Sequence, residues 1–292
     1  MHIVYYTAAR TGSGHAVGGI ALANAVRRAG LNANVTVTGT FGFHELLDAA
    51  GVPSVPIVPE DFDILNERDF EKSETWKTLT ALKPDVLVID LAWYTTHTFV
   101  DQLACPSILL LRQVDENFFA YRHGDELIRF SPERYSLVVA KEPWSFPFPV
   151  HHINPIVLRN PHEILNREQA SSRLGIDAAA PTALIATNGK PAEFERLYKD
   201  YAYLEDEYQL VTSTNHHSGL FPLVDYFNAF DFVVCSAGYH AFWECMYFEK
   251  TGVFVPQERR FENQAWRISA CQDYEFTANG ADELVRLISD GF

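Results

Sequence analysis

The stretch Asp231-Phe232-Val233-Val234-Cys235-Ser236-Ala237-Gly238-Tyr239-His240-Ala241-Phe242-Trp243-Glu244 has the residue types and spacing to hold a phosphate next to a sugar. It reads as a buried strand, a sharp turn at Gly238 and the start of a helix. Free N–H groups and the helix dipole make such a start a ready anion site. Glu244, six residues past the glycine, can accept hydrogen bonds from sugar hydroxyls. His240 and Glu244 stand four apart and share a helix face, so His240 is either a second donor to phosphate or a buried structural histidine. About twenty residues on, Asn263-Gln264 adds a pair of amides. Near the other end, Gly12-Ser13-Gly14-His15 follows a short apolar strand. An ionisable ring there faces the crevice at the C-terminal edge of a sheet, where ligands of open α/β folds bind. The glycines could also serve only a tight strand-to-helix turn. Dinucleotide binding is disfavoured, because the spacing is Gly12-x-Gly14-x-x-x-Gly18 and Thr38-Gly39-Thr40 stands where a ribose-binding acid is needed.

The elements that must position these groups alternate between strand and helix. Residues 2–6 form a strand, Val17 to Ala29 a helix closed by Gly30, and Val35–Thr38 the next strand, which makes a β-loop-α-β unit with a right-handed crossover. Asp85–Asp90, Ile108–Leu111 and Tyr135–Ala140 are continuous apolar strands, as a sheet covered on both faces requires. They bring Asp90, Arg112 and Lys141-Glu142 to one edge. Pro143, Pro147, Pro149, Pro155 and Pro161 then crowd a segment that reads as a semi-rigid linker. Beyond it the alternation restarts: a helix from Glu163 to Leu174, a strand over Ala183–Thr187, a second glycine loop at Asn188-Gly189, and a helix from Phe221 to Phe230 that runs into Asp231. The expectation is two Rossmann-like, doubly wound α/β domains, residues 1–154 and 155–292, with a ligand cleft between them.

Composition narrows the partners. Of 292 residues 47% are hydrophobic, enough for two packed cores, and the formal charge is −15 without a basic run. That argues against nucleic acid or an anionic membrane as the main partner. The N-terminus reads as a first strand rather than a signal peptide, and no apolar run approaches the roughly 18–20 residues needed to span a bilayer. Cys105, Cys235, Cys245 and Cys271 show no C-x-x-C pairing and read as reduced core residues without a zinc site, which fits a cytoplasmic protein. Asp61-Phe62-Asp63 matches a metal-binding D-x-D only superficially, since it lies in an acidic loop with no buried strand before it.

With these residues in place the chain resembles the two-domain glycosyltransferases of the B fold, in particular the enzyme that adds N-acetylglucosamine to lipid-linked muramyl peptide. Asp231, Ser236, Gly238, Glu244, Pro256 and Asn263-Gln264 fall in register with that family's C-terminal signature, and Gly12-Ser13-Gly14-His15 is similar to its N-terminal loop. The likeness covers residues 231–266 best and extends to 2–30 and 183–190. It implies a nucleoside-diphosphate sugar, with uridine as the expected base, bound without metal or other cofactor on the C-terminal domain. Ser236, Gly238 and His240 would lie at the diphosphate, Glu244 on the ribose and Asn263-Gln264 by the donor sugar. Asn188-Gly189 would lie beside the phosphates from the other loop, Gly12 and Gly14 would belong to the nucleotide-sugar site, and His15 would reach across the cleft as base or leaving-group stabiliser. The acceptor is unidentified. Two departures stand out. Ala241 occupies a place where relatives carry a small hydroxyl residue, and the short chain implies that acceptor-binding insertions or a returning C-terminal helix are missing. A nucleotide-sugar hydrolase that uses His15 on water and a non-catalytic nucleotide-binding relative are the alternative readings.

Overall fold

Aliphatic and aromatic runs bounded by glycine and proline fold here as buried parallel strands. The structure is a computed structural model that describes every residue except 10–11, 61–69, 124, 216–218 and 292. The described residues divide into two compact units: residues 1–11, 15–155 and 278–292 form the first, and 12–14 with 156–277 the second.

The first unit begins with β1 (His2–Ala9), α1 (Gly14–Arg28) and β2 (Asn34–Phe41), followed by α2 (His44–Ala49) and β3 (Ser54–Pro56). Next come α3 (Glu74–Leu82), β4 (Val86–Asp90), α4 (Trp93–Thr96) and β5 (Ser107–Leu111). A hairpin of β6 (Ala120–His123) and β7 (Glu126–Arg129) precedes β8 (Leu137–Ala140) and β9 (His151–His152). Seven of these strands form one sheet in the order β3-β2-β1-β4-β5-β8-β9, with every neighbouring pair parallel. Parallel pairing turns all the C-terminal strand ends to one edge. One close contact fixes α1 on that sheet: a Cβ on Gly18 would overlap the Tyr5 hydroxyl, so only glycine lets the helix lie this near β1. Below the edge, Trp93, Phe99, Leu109 and Leu111 pack with Leu79 and Leu87 into a dry core.

The second unit holds α5 (Arg167–Leu174), β10 (Thr182–Thr187), α6 (Pro191–Tyr201), β11 (Gln209–Thr214) and β12 (Phe232–Ser236), then α7 (Tyr239–Tyr247), β13 (Gly252–Val255) and α8 (Gln264–Cys271). Its sheet runs β11-β10-β12-β13, again all parallel. The fold is therefore two Rossmann-like α/β units.

Three local readings change. Inside the proline-crowded segment, β9 adds to the free edge of β8, so strand pairing continues into what reads as linker. The helix expected over 221–230 is a 3-10 run, Leu223–Ala229, in which the Asp225 carbonyl accepts from Leu165 N and leaves the local ladder. The largest change is α9 (Gly280–Asp290), which a division at 154/155 puts in the second domain but which packs with the first unit. Ala281, Leu284, Val285 and Ile288 form its buried stripe. Glu283 accepts from Asn154 N at 2.6 Å and from its side-chain amide at 3.0 Å, and Arg28 donates to Asp282 at 2.6 Å. Gly280 is required here because a Cβ would sit on the Asn154 carbonyl. The returning helix is thus present. Replacing Glu283 by Ala is expected to cost about 1–3 kcal/mol of stability, the scale of hydrogen bonds to a charged group. Urea unfolding measures this, and an unchanged midpoint would show that the clamp on Asn154 is not a stabilising contact.

Candidate functional site

In the first unit the C-terminal strand ends carry a compact charged cluster. Thr7 and Asp90 are register partners on β1 and β4 and therefore point to the same face. His15, in the first turn of α1, stands over them. Its Nδ1 is 2.9 Å from Thr7 Oγ1 and 2.8 Å from Asp90 Oδ2. Lys141 follows β8 and reaches past the end of β5, donating to Asp90 Oδ1 at 2.6 Å. Asp90 and Lys141 are each 3% exposed. Burial pushes the Asp90 carboxyl up, but Lys141 and then His15 outweigh it and hold the group well below the usual carboxylate range. An ionised carboxylate can only accept, so His15 Nδ1 carries a proton, and in the neutral form of the ring the lone pair is then on Nε2. Leu91, directly after Asp90, has φ 62°. A leucine in the left-handed region costs about 1–2 kcal/mol, and such strain gathers at functional sites. Gly12, at φ 81°, makes the turn before α1 and has open space where a Cβ would stand. Gly14, which groups with the second unit, would carry its Cβ 3.5 Å from His240 Cδ2.

The second unit brings two loops to one sheet edge, because β10 and β12 are neighbours. Thr187 at the end of β10 donates to Ser236 Oγ at 3.0 Å and accepts from Gly189 N at 3.3 Å, so the two loops are tied through hydroxyls. They differ in what fills them. At Gly189 a Cβ would collide with the Glu193 carboxylate. That carboxylate caps α6 by accepting from Lys190 N at 3.0 Å, and Arg259 holds it through both oxygens at 2.7 and 2.9 Å. The anion position at the start of α6 is thereby occupied by the protein itself. Asn188 is exposed, and its carbonyl accepts from Asn215 Nδ2.

The turn at Gly238 is open. Its backbone lies at φ −63°, which any residue can adopt, and a Cβ would find only Gln264 Nε2, at 4.0 Å. The space over this glycine belongs neither to backbone strain nor to packing, and the first turn of α7 follows directly from the end of β12. Gln264 is 3% exposed; its Oε1 accepts from Gln257 N at 2.9 Å, which leaves Nε2 toward the turn. Asn263 spends its side-chain oxygen as the N-cap of α8, accepting from Trp266 N at 3.0 Å, so of the amide pair it is Gln264 that faces Gly238. His240 is half-buried on α7, its ring 5.0 Å from that of Tyr239.

Glu244 is buried one and a half turns deeper. The backbone of Leu158 bonds its carboxyl, yet Oε1 has no hydrogen-bond partner among the described residues. Burial pushes its pKa up to about 8; Asp225 adds to the rise, while the Leu158 bond and Arg159 oppose it.

Three residues with a part in this geometry were not assigned one from sequence. Asp90 and Lys141 were read as strand tips, and the strand order that joins them is not encoded in periodicity. Arg267 carried no signal at all. It is fully buried and donates to the Ala237 carbonyl and to Glu262, both at 2.7 Å, pinning the Gly238 turn to α8. Among the described residues no cluster of His, Cys, Asp or Glu could hold a metal ion, and no helix is long and apolar enough to cross a membrane. Asp61-Phe62-Asp63 lies outside the described residues.

No family model matches the chain, and no curated protein matches it. Solved structures do. The glycosyltransferase SsfS6 of Streptomyces sp. SF2575 matches over 100% of this chain and 92% of its own, with TM-score 0.59 and 16% identity. The spinosyn forosaminyltransferase SpnP matches over 100% and 91%, with TM-score 0.61 and 13% identity. MurG of Acinetobacter baumannii matches over 99% and 91%, with TM-score 0.52 and 15% identity. The fold is that of the two-domain B-fold glycosyltransferases.

The raised Glu244 pKa has a consequence for stability. A carboxyl that ionises near pH 8 when folded and near its ordinary value when unfolded stabilises the fold fully below the ordinary value, and that contribution is lost as pH rises through about 8. The melting temperature of Glu244→Gln is therefore expected to equal that of wild type near pH 5 and to exceed it at about pH 8. Parallel melting profiles across that window would show that Glu244 is not a strained buried acid.

Proposed function

We propose that the chain is a glycosyltransferase that takes its sugar from a nucleoside-diphosphate donor, with a uridine nucleotide as the expected carrier, and passes it to an acceptor hydroxyl. The observation that carries the reading is Glu244 Oε1, a buried carboxyl oxygen left without a partner on the same helix whose open first turn follows Gly238. Ribose hydroxyls would satisfy that oxygen, and the diphosphate would lie over the glycine against the N-terminus of α7. Gln264 Nε2 would hold the donor sugar. Ser236 supports the turn through its bond with Thr187.

His15 supplies the base. Its Nε2 takes the proton from the acceptor hydroxyl, the acceptor oxygen bonds to the anomeric carbon, and the bond from that carbon to the diphosphate oxygen breaks with its electron pair on the diphosphate. Asp90 holds the imidazole in the Nδ1–H tautomer and offsets the imidazolium that forms. The N–H groups at α7 receive the charge on the leaving group, the role that a divalent cation fills in other transferases. If water takes the acceptor's place, the same arrangement hydrolyses the donor.

Structures of SsfS6 and of VinC hold thymidine diphosphate, which makes TDP the first alternative nucleotide. The two can be separated at Glu244, since TDP lacks the 2′-hydroxyl. Calorimetry is expected to show Glu244→Ala weakening UDP by about 1–3 kcal/mol and TDP by less. An unchanged UDP dissociation constant would remove Glu244 from the ribose, and absence of binding by either nucleotide would end the catalytic reading. His15→Ala is expected to keep nucleotide binding and to lose turnover of UDP- and TDP-sugars, measured as diphosphate release with and without an acceptor panel and with EDTA present. Release that needs no acceptor assigns hydrolysis; full activity of the variant excludes His15 as the base.

A further inference from the structure

Asp90 bonds two basic side chains on separate oxygens, with Lys141 on Oδ1 at 2.6 Å and His15 on Oδ2 at 2.8 Å. A base that works with one carboxylate needs no third partner, and a lysine with only 3% exposure is expensive to bury unless paired. The charges explain what it does. With Lys141 protonated and Asp90 ionised, the pair carries no net charge, and a proton on the 19% exposed His15 side chain adds a positive charge beside it. Without the lysine, Asp90 and a neutral His15 would carry a net negative charge and would bind a proton more tightly.

We propose that Lys141 is a positioning residue of the transfer: by compensating the far oxygen of Asp90, it weakens the hold of that carboxylate on a second His15 proton and keeps the ring in one tautomer. The proposal rests on His15 being the base of the proposed reaction, but the geometry alone sets the effect. Other groups near the cluster come from β1 and from the residue after Lys141. From β1, Thr7 Oγ1 shares the proton on Nδ1, and the Tyr5 hydroxyl points to the space by Gly18, whose Cβ would stand 3.9 Å from Asp90 Oδ2. Glu142, next to Lys141, is turned to another partner and accepts from Gln113 N at 2.7 Å. Asp90 bonds His15, and Lys141 bonds Asp90. The lysine charge thereby favours the lone pair on the base. It also eases the later loss of the proton, because imidazolium shares its counter-ion.

The test reads His15 directly in the free protein, by nitrogen-detected NMR of histidine-labelled chain with His15 assigned by its absence from His15→Gln. The titration midpoint of His15 is expected to rise by about one pH unit or more in Lys141→Met, where a positive neighbour is lost, and to stay at the wild-type value in Lys141→Arg, which keeps the charge. An identical midpoint in wild type and Lys141→Met would overturn the proposal. If Lys141→Met does not fold, Lys141→Gln, whose amide can still donate toward Asp90, makes the same comparison without the charge; a higher midpoint than wild type supports the proposal, and equal midpoints overturn it. Turnover then separates the two readings. An active His15→Ala defeats the proposed reaction and leaves the titration result intact, whereas an inactive His15→Ala with an unmoved midpoint in Lys141→Met defeats only the role of the lysine. In the working enzyme the acidic limb of the pH profile of kcat/KM moves upward with the midpoint in Lys141→Met, while the UDP dissociation constant holds. A merely structural lysine would lower activity at every pH alike.

Discussion

The first unit is organised around a carboxylate that cannot be left alone. Asp90 ends a strand buried on both faces and is 3% exposed, so its charge must be met inside the protein. It is met from two sides, by a lysine that closes β8 and a histidine that opens α1. Neither contact is local: 51 residues separate Asp90 from Lys141 and 75 separate it from His15. What brings them together is the strand order β1-β4-β5-β8 and the nearness of α1 to β1 that Gly18 allows. The strained Leu91 backbone beside Asp90 fits this picture, since the surrounding sheet over-determines where that strand must end.

The second unit uses a similar sheet edge in a different way. Two strand-loop-helix corners lie side by side, and one supplies its own anion. Glu193 fills the start of α6 and is held there by Arg259, which lowers its pKa through their hydrogen bonds. The other corner, at Gly238, is left empty and is braced from behind by Arg267 on the Ala237 carbonyl. An arginine on a carbonyl directly before a helix start fixes the direction of the N–H groups without competing for what they bind. Two corners of the same type therefore differ: a Cβ at Gly189 would meet the Glu193 carboxylate, while one at Gly238 would find only Gln264 Nε2, at 4.0 Å, among the described residues.

The sequence was most legible where the signal is local. Apolar runs marked β1, β4, β5, β8, β10 and β12, and glycine turns located both loops, because strand burial and sharp turns depend on neighbours in the chain. The order of strands is not local, which is why Asp90 and Lys141 were placed on one edge without being joined. The destination of α9 was also hidden. Its apolar stripe shows that it must be buried, but nothing in the stripe tells which sheet it covers, and the contacts of Glu283 with Asn154 decide it. At the Asn263-Gln264 pair the sequence marks two amides of equal promise, while the N-cap consumes one and aims the other. The hairpin of β6 and β7 lies in an aromatic-rich stretch, Phe118 to Phe130, whose rings pack with Trp93, Phe146 and Phe148, and this packing rather than periodicity holds it.

Two buried carboxyls follow opposite courses, and the contrast is the chemical content of the fold. Asp90 is given Lys141 and His15 as partners and held ionised; Glu244 is given one backbone N–H, lies near Asp225, and is pushed up to about 8. Burial is the largest influence on both, so the difference is set by the partners alone. An ionised acid that is fully engaged can orient and support a base, because it gains nothing from moving. A neutral acid with an idle oxygen can do the reverse: it gains a partner when hydroxyls arrive, and its proton lets it donate as well as accept. Environments that drive like groups apart in this manner mark a division of labour in sites that carry out proton chemistry. In the proposed reaction Asp90 of the first unit would support the base and Glu244 of the second would meet a hydroxyl-bearing ligand.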